Sequence, residues 1–222
     1  MEIQKANKTA LVLGATGMVG GFVVQLLLEN EAYTKVIALT RRPLSIKHPK
    51  LQNAIVDFEQ LTDYQSLMKG DDLFLCLGTT IKKAGSQAAF MRVDYDYQLQ
   101  VAQMAKANGV NQVLLCSAVD ADSGSRIFYN KVKGQLEDAL KGMGFWAVHI
   151  FQPSILLGAR NENRFGEKIA QMVGRFLDKI VGGLLAKYRP VEGATVARAM
   201  VHAAQILRVG VCVYPSDELS KI

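Results

Sequence analysis

The chain is poor in residues on which other kinds of protein depend: three cysteines, one tryptophan and five prolines among 222 residues. Cys76, Cys116 and Cys212 are odd in number, scattered, and set mostly in apolar strand-like runs. They predict buried, reduced thiols rather than a disulfide framework or a metal site. No apolar run approaches the ~20 residues that cross a bilayer. With no cationic leader ahead of an apolar stretch, the reading is a cytoplasmic protein without a membrane role. The net charge of +6 is dispersed over pairs such as Arg41-Arg42 and Lys82-Lys83, with Lys187 and Arg189 further on. It lacks a continuous basic arm and interleaved aromatics, so nucleic acid is not the expected partner. A chain of this length that is half hydrophobic buries one core, and a single domain over 1–222 is expected, with a small lid region at about 159–190.

What the chain does have is alternation. Apolar strand-like runs at Thr9–Gly14, Lys35–Thr40, Asn53–Val56, Asp72–Gly78, Gln112–Ser117, Phe145–Phe151 and Val211–Tyr214 are separated by helical patterns. The helical patterns lie at Gly17–Asn30, Leu61–Lys69, Ser86–Asn108, Lys131–Lys141, Asn161–Ile180 and Glu192–Leu207, and Gly109 is a candidate C-cap for the third. Near-continuous apolar strands are buried on both faces, as in parallel sheets. The predicted fold is α/β, a doubly wound parallel sheet of Rossmann type, with its ligand crevice at the carboxyl ends of the strands.

The first strand ends in Gly14-Ala-Thr-Gly-Met-Val-Gly20. A glycine turn from strand to helix seats a pyrophosphate on the free N–H groups and positive end of the helix. Gly14 permits the turn, Gly17 lets backbone approach phosphate, and Gly20 lets the helix pack on the strand, while Thr16, Met18 and Val19 are the accompanying contacts. The spacing is GxxGxxG rather than GxGxxG. The second strand runs into Thr40-Arg41-Arg42-Pro43, with no carboxylate for the adenosine ribose hydroxyls. An arginine there forks onto a 2′-phosphate, and one charge-assisted bond of roughly 1.5–3 kcal/mol corresponds to about ten- to a hundredfold preference. NADP(H) is therefore expected over NAD(H). Asp57-Phe58 is placed to bracket the adenine, and Leu77-Gly78-Thr79 to pass beside the cofactor ribose.

Ser117 closes the fifth strand, and Tyr129-Asn-Lys-Val-Lys133 follows, with tyrosine and lysine on one helix face. A reductase needs a proton donor within reach of a carbonyl, and a neighbouring ammonium favours the phenolate left behind. Ser117 would hold the substrate oxygen, Tyr129 donate the proton, and Lys133 anchor the nicotinamide ribose as well. By contrast, His149 reads as a packing histidine, Trp146 and the methionines as fillers, and Asp94 and Asp96 as helix-dipole partners.

These segments resemble the short-chain dehydrogenase/reductases, and within them the atypical NmrA-like branch. Val93-Asp-Tyr95, Leu115-Cys-Ser117 and Tyr129-Asn-Lys-Val-Lys-Gly134 fall in register with that pattern, as do the glycine turn and Arg41-Arg42-Pro43. The later Phe151-Gln-Pro-Ser-Ile-Leu-Leu-Gly158, Asn163-Arg-Phe-Gly-Glu167 and Val196-Ala-Arg-Ala-Met200 look most like oxidoreductases related to the Tat-interacting protein. The resemblance spans nearly the whole chain. It implies a Rossmann-type fold with NADP(H), the roles given above for Ser117, Tyr129 and Lys133, and a path for Pro153-Ser154 near the nicotinamide. The Asn-Asn-Ala-Gly segment of many active members is replaced by Leu77-Gly-Thr-Thr80, so one proton-relay element is missing.

Two functions follow as expectations. One is an NADP(H)-dependent oxidoreductase reducing a small carbonyl compound. The other is a non-catalytic NADP(H)-binding regulator or redox sensor acting through a protein partner. Loops at Ile81–Gln87, Val119–Phe128 and Ala159–Lys168 would line the substrate pocket, mixing cations with Ile81, Ile127 and Phe128 to suit an anionic or partly apolar carbonyl. The oligomeric state is left open by the residues; the resemblance implies that a homodimer, if formed, pairs through the Ser86–Asn108 and Lys131–Lys141 helices, where members of that family commonly pair.

Overall fold

In a computed structural model, which describes residues 6–158 and 187–222, a seven-stranded parallel sheet runs in the order β3-β2-β1-β4-β5-β6-β9. Its strands are β1 (Lys8–Leu13), β2 (Tyr33–Thr40), β3 (Leu51–Ile55), β4 (Asp72–Leu75), β5 (Gln112–Cys116), β6 (Ala147–Gln152) and β9 (Gly210–Pro215). The order reverses between β1 and β4, the switch point where an open α/β sheet leaves its crevice. The inner strands β1, β4, β5 and β6 are buried on both sides, which is why they read as unbroken apolar runs.

Helices cover both faces. On one side α1 (Met18–Glu29) packs with α6 (Gly193–Ala203), burying Val23, Val24 and Leu27 against Val196 and Met200. On the other, α4 (Tyr97–Ala107) and α5 (Phe128–Lys141) bury Val101, Ala105, Leu136 and Leu140 on the sheet. The expected C-cap is present: Gly109 has φ 90° and donates to Lys106 O, while Val110 N–H reaches back to Ala105 O. At the foot of the sheet, Lys8 Nζ lies 2.5 Å from Asp72 Oδ2 and donates to the carbonyl of Ala204 at 2.8 Å, tying the end of α6 beneath β1 and β4.

Three stretches differ from the sequence reading. The single helix expected over 86–108 is preceded by α2 (Ile81–Ala84) and divided into α3 (Gln87–Met91), a π turn (Arg92–Asp96) and α4. The pattern at 61–69 folds as a 3₁₀ segment, Phe58–Leu67, capped by Asp57. A two-stranded parallel ribbon of β7 (Leu156–Leu157) and β8 (Val191–Glu192), invisible as periodicity because each strand is two residues long, joins the flanks of the undescribed stretch. The helix expected over 161–180 and most of the lid region at 159–190 lie outside the described residues.

Candidate functional site

The glycine turn explains itself sterically. Gly14 has φ 91°, and a Cβ there would lie 2.4 Å from the carbonyl carbon of Cys76, so β1 and the end of β4 meet at a distance only glycine allows. A Cβ on Gly20 would come within 2.2 Å of Gly14 O, which brings α1 directly onto the turn. Gly17 is the N-cap of α1 and offers no side chain, and the first turn of the helix holds no acidic residue. The N–H groups of Met18, Val19 and Gly20 thus begin a helix whose positive end is uncompensated, the electrostatic requirement for an anion.

A cleft of about 840 Å³ opens at this point, lined among others by Gly14, Thr16, Gly17, Met18, Arg41 and Thr79. Leu77 and Gly78 form its wall on the β4 side. A second cleft of about 560 Å³ adjoins it, lined by Arg41, Val56, Asp57, Phe58, Tyr64 and Tyr97 and by Ile55 and Glu59. Arg41 belongs to both, and so stands at their junction. Arg42 is exposed and lines neither. Asp57 accepts from Glu59 N–H at 2.9 Å, and the Phe58 ring is buried, its centroid 5.3 Å from that of Tyr97.

Behind Gly78 lies the lysine singled out from the sequence. Lys133 is buried, and its Nζ pairs with Asp94 Oδ1 at 2.7 Å. A Cβ built on Gly78 would stand 3.4 Å from Asp94 Oδ1 and 3.8 Å from Lys133 Nζ, so the ion pair lies directly beside this residue of the cleft wall. Burial by itself would push the Lys133 pKa down, but the Asp94 carboxylate and the Tyr129 phenol overcome it and hold the ammonium above its ordinary value. Asp94 also accepts from Thr79 N–H at 2.9 Å, fixing the Leu77–Thr80 strand end to the π turn. Asp94 lies buried within this π turn, and Gln98 Nε2 donates to the Asp94 carbonyl. Asp94 was read from sequence as a dipole partner only. The signal that marked it was its place in Val93-Asp-Tyr95, but no helical periodicity foretells a π turn.

Tyr129 lies in the first turn of α5, one turn before Lys133, with its ring 5.6 Å from that of Phe90. Burial raises its pKa above 10, Asp94 and Cys116 add to the rise, and Lys133 opposes it. Ser117 is buried at the end of the β5 segment, and its Oγ donates to Glu137 Oε1 at 2.5 Å. Gln152 Nε2 donates to the same carboxylate at 3.0 Å. Tyr129, Lys133 and Glu137 recur every fourth residue on one face of α5, so the serine is tied to the face that carries the tyrosine and lysine. Pro153 and Ser154 line neither cleft. Pro153 O accepts from Val119 N–H, and Ser154 is bonded to Ser216 and to Tyr188 O. Among the described residues no cluster of His, Cys, Asp and Glu suits a metal ion.

Residues 14–145 match a family described as NAD(P)H-binding. The chain belongs to this NAD(P)H-binding family. Within it the chain is 35% identical over 205 residues to Protein HTATIP2 of Rattus norvegicus, covering 90% of this chain and 83% of that protein. It is 30% identical over 226 residues to Protein FMP52, mitochondrial, of Candida albicans, covering 96% of this chain and 97% of that one. Its fold matches a UDP-N-acetylglucosamine 4-epimerase from Methanobrevibacter ruminantium with TM-score 0.71 at 16% identity, over 95% of this chain and 77% of the epimerase. The chain is thus an NAD(P)H-binding protein of Rossmann type, similar to HTATIP2 and FMP52. One expectation is corrected: yeast relatives are named mitochondrial, which overturns the cytoplasmic placement. Bulk composition governs solubility and span, and it does not encode an address.

Proposed function

We propose that this family member is an NADP(H)-dependent reductase of a small carbonyl compound, in the mitochondrial setting that the names of its FMP52 relatives state for those proteins. The observation that carries the reading is the buried ion pair of Lys133 and Asp94 beside Gly78, a residue of the wall of the cleft that α1 heads, with Tyr129 one turn before Lys133 on the same face of α5. The cleft fits a dinucleotide in the features that matter: glycines that no Cβ could replace, an uncapped helix N-terminus without acid, and Arg41 at the junction of two cavities. Arg41, with Arg42 beside it, would meet the 2′-phosphate, Asp57 and Phe58 the adenine, and Leu77, Gly78 and Thr79 the ribose next to the nicotinamide.

When bound, NADPH supplies the hydride. Tyr129 then supplies the proton to the carbonyl oxygen, and its raised pKa keeps that proton in place at neutral pH. Lys133, held charged by Asp94, would take the ribose hydroxyls and would stabilise the phenolate that forms as Tyr129 gives up its proton. Ser117 orients the carbonyl by turning its hydroxyl away from Glu137.

A titration of purified protein with NADPH and NADH, followed by fluorescence, tests the first half. Arg41→Ala/Arg42→Ala should weaken NADPH about ten- to a hundredfold and leave NADH nearly unchanged. Tyr129→Phe should then abolish turnover in a screen of anionic and apolar carbonyl compounds with cofactor affinity retained. Binding of neither nucleotide would sink the proposal. The commitment of the Ser117 hydroxyl to Glu137 favours a second reading, a cofactor-binding regulator that changes its affinity for a protein partner with occupancy. In that case Tyr129→Phe leaves the effect of NADPH on partner binding intact.

A further inference from the structure

Asn53 touches neither cleft, yet its carboxamide holds both ends of the loop that carries the two arginines. It sits in β3 opposite Ala38 of β2, half-buried. Its Nδ2 donates to Thr40 Oγ1 at 2.7 Å and to Ala38 O at 3.2 Å, and its Oδ1 accepts from Leu44 N–H at 2.7 Å. Thr40 is the last residue of β2 and Leu44 the first to return to the core, so Arg41-Arg42-Pro43 is a short span with both ends tied to one side chain of the neighbouring strand. Pro43 removes a donor and locks one φ within that span. Val56 N–H completes the anchorage by donating to Thr40 O at 2.9 Å.

We infer that Asn53 is a positioning residue for cofactor preference: by bridging Thr40 and Leu44 it fixes the backbone of Arg41, and so aims the guanidinium at a 2′-phosphate at the junction of the clefts. This rests on the NADP(H) reading above. An arginine reaches a phosphate through a planar fork, and a long flexible side chain on an untethered loop would pay the ordering entropy at binding. The carboxamide is neutral and lies one strand away from the cofactor, so it acts through the loop and not through its own field.

Dissociation constants for NADPH and NADH decide the matter when measured on the wild type, Asn53→Ala, Arg41→Ala and the double variant. Wild type should prefer NADPH. Asn53→Ala should weaken NADPH about tenfold and NADH less than twofold, and the double variant should bind NADPH no more weakly than Arg41→Ala alone. An equal loss for both nucleotides, or losses that multiply in the double variant, would overturn the inference. Thr40→Val keeps the shape and removes the hydroxyl acceptor. It should give a smaller loss in the same direction, and it carries the test if Asn53→Ala does not fold. A wild type without preference would fail the NADP(H) reading and this inference together, whereas a preference indifferent to Asn53 would overturn the inference alone.

Discussion

At the scale of the residue, the ion pair between Asp94 and Lys133 organises the site. Both partners are buried, and the pair joins three elements: the π turn, α5 and the strand end at Thr79. Removing one member of such a pair leaves a buried charge without a counter-ion, which costs about 3–5 kcal/mol, whereas replacing both by apolar groups is often near neutral. Chemical denaturation should therefore show Asp94→Asn and Lys133→Met each strongly destabilised. Asp94→Leu/Lys133→Met should recover much of the loss, and additive losses would show that the pair is not coupled. The lysine was legible in the sequence because a tyrosine four residues earlier and a serine before it formed a chemical pattern. The aspartate was not, since its partners Lys133 and Thr79 lie 39 and 15 residues away and reach it only in the folded chain. Glu137 was missed for a different reason. A glutamate on a helix reads as solvated until a strand end is laid against it.

At the scale of the element, the β1–α1 turn places helix and strand so close that two adjacent glycines must respond oppositely to the same substitution. A methyl group at Gly20 would overlap Gly14 O at 2.2 Å, while one at Gly21 would meet Ala15 O at an ordinary 3.5 Å. Gly20→Ala is expected to cost about 1–3 kcal/mol through overpacking and to weaken nucleotide binding. Gly21→Ala should raise the apo melting temperature, since alanine is favoured over glycine in a helix interior by up to about 1 kcal/mol. Thermal melts of the two variants check both signs. The motif's outer glycines were legible as a turn and a packing point from their spacing. The boundaries of the 86–108 helix were not, because Thr80 and Ser86 each cap a short helix through a local side-chain bond that periodicity does not register.

At the scale of the whole molecule, stability acquires a pH dependence from one core side chain. His149 is fully buried in β6, with Nδ1 2.9 Å from the Tyr214 hydroxyl, and its pKa is pulled from 6.5 down to about 4 by burial and by Arg208. The unfolded chain binds this proton below pH 6.5 and the folded chain does not until about pH 4, so stability is complete above 6.5 and is lost as pH falls through that window. The loss should approach about 2–3 kcal/mol between pH 7 and 4.5 in denaturant titrations. In His149→Gln the slope should flatten, and an unchanged slope would assign it to other groups. The parallel sheet, the glycine turn and the shared helix face of Tyr129 and Lys133 were legible in the residues alone, because local periodicity, steric need and residue spacing are properties of the chain read a few residues at a time. Tertiary structure decided that Asp94 pairs with Lys133, that Glu137 holds Ser117, and that Asn53 ties the arginine loop. Each of those contacts joins residues of different elements, which only the packing of strands and helices brings within hydrogen-bonding distance.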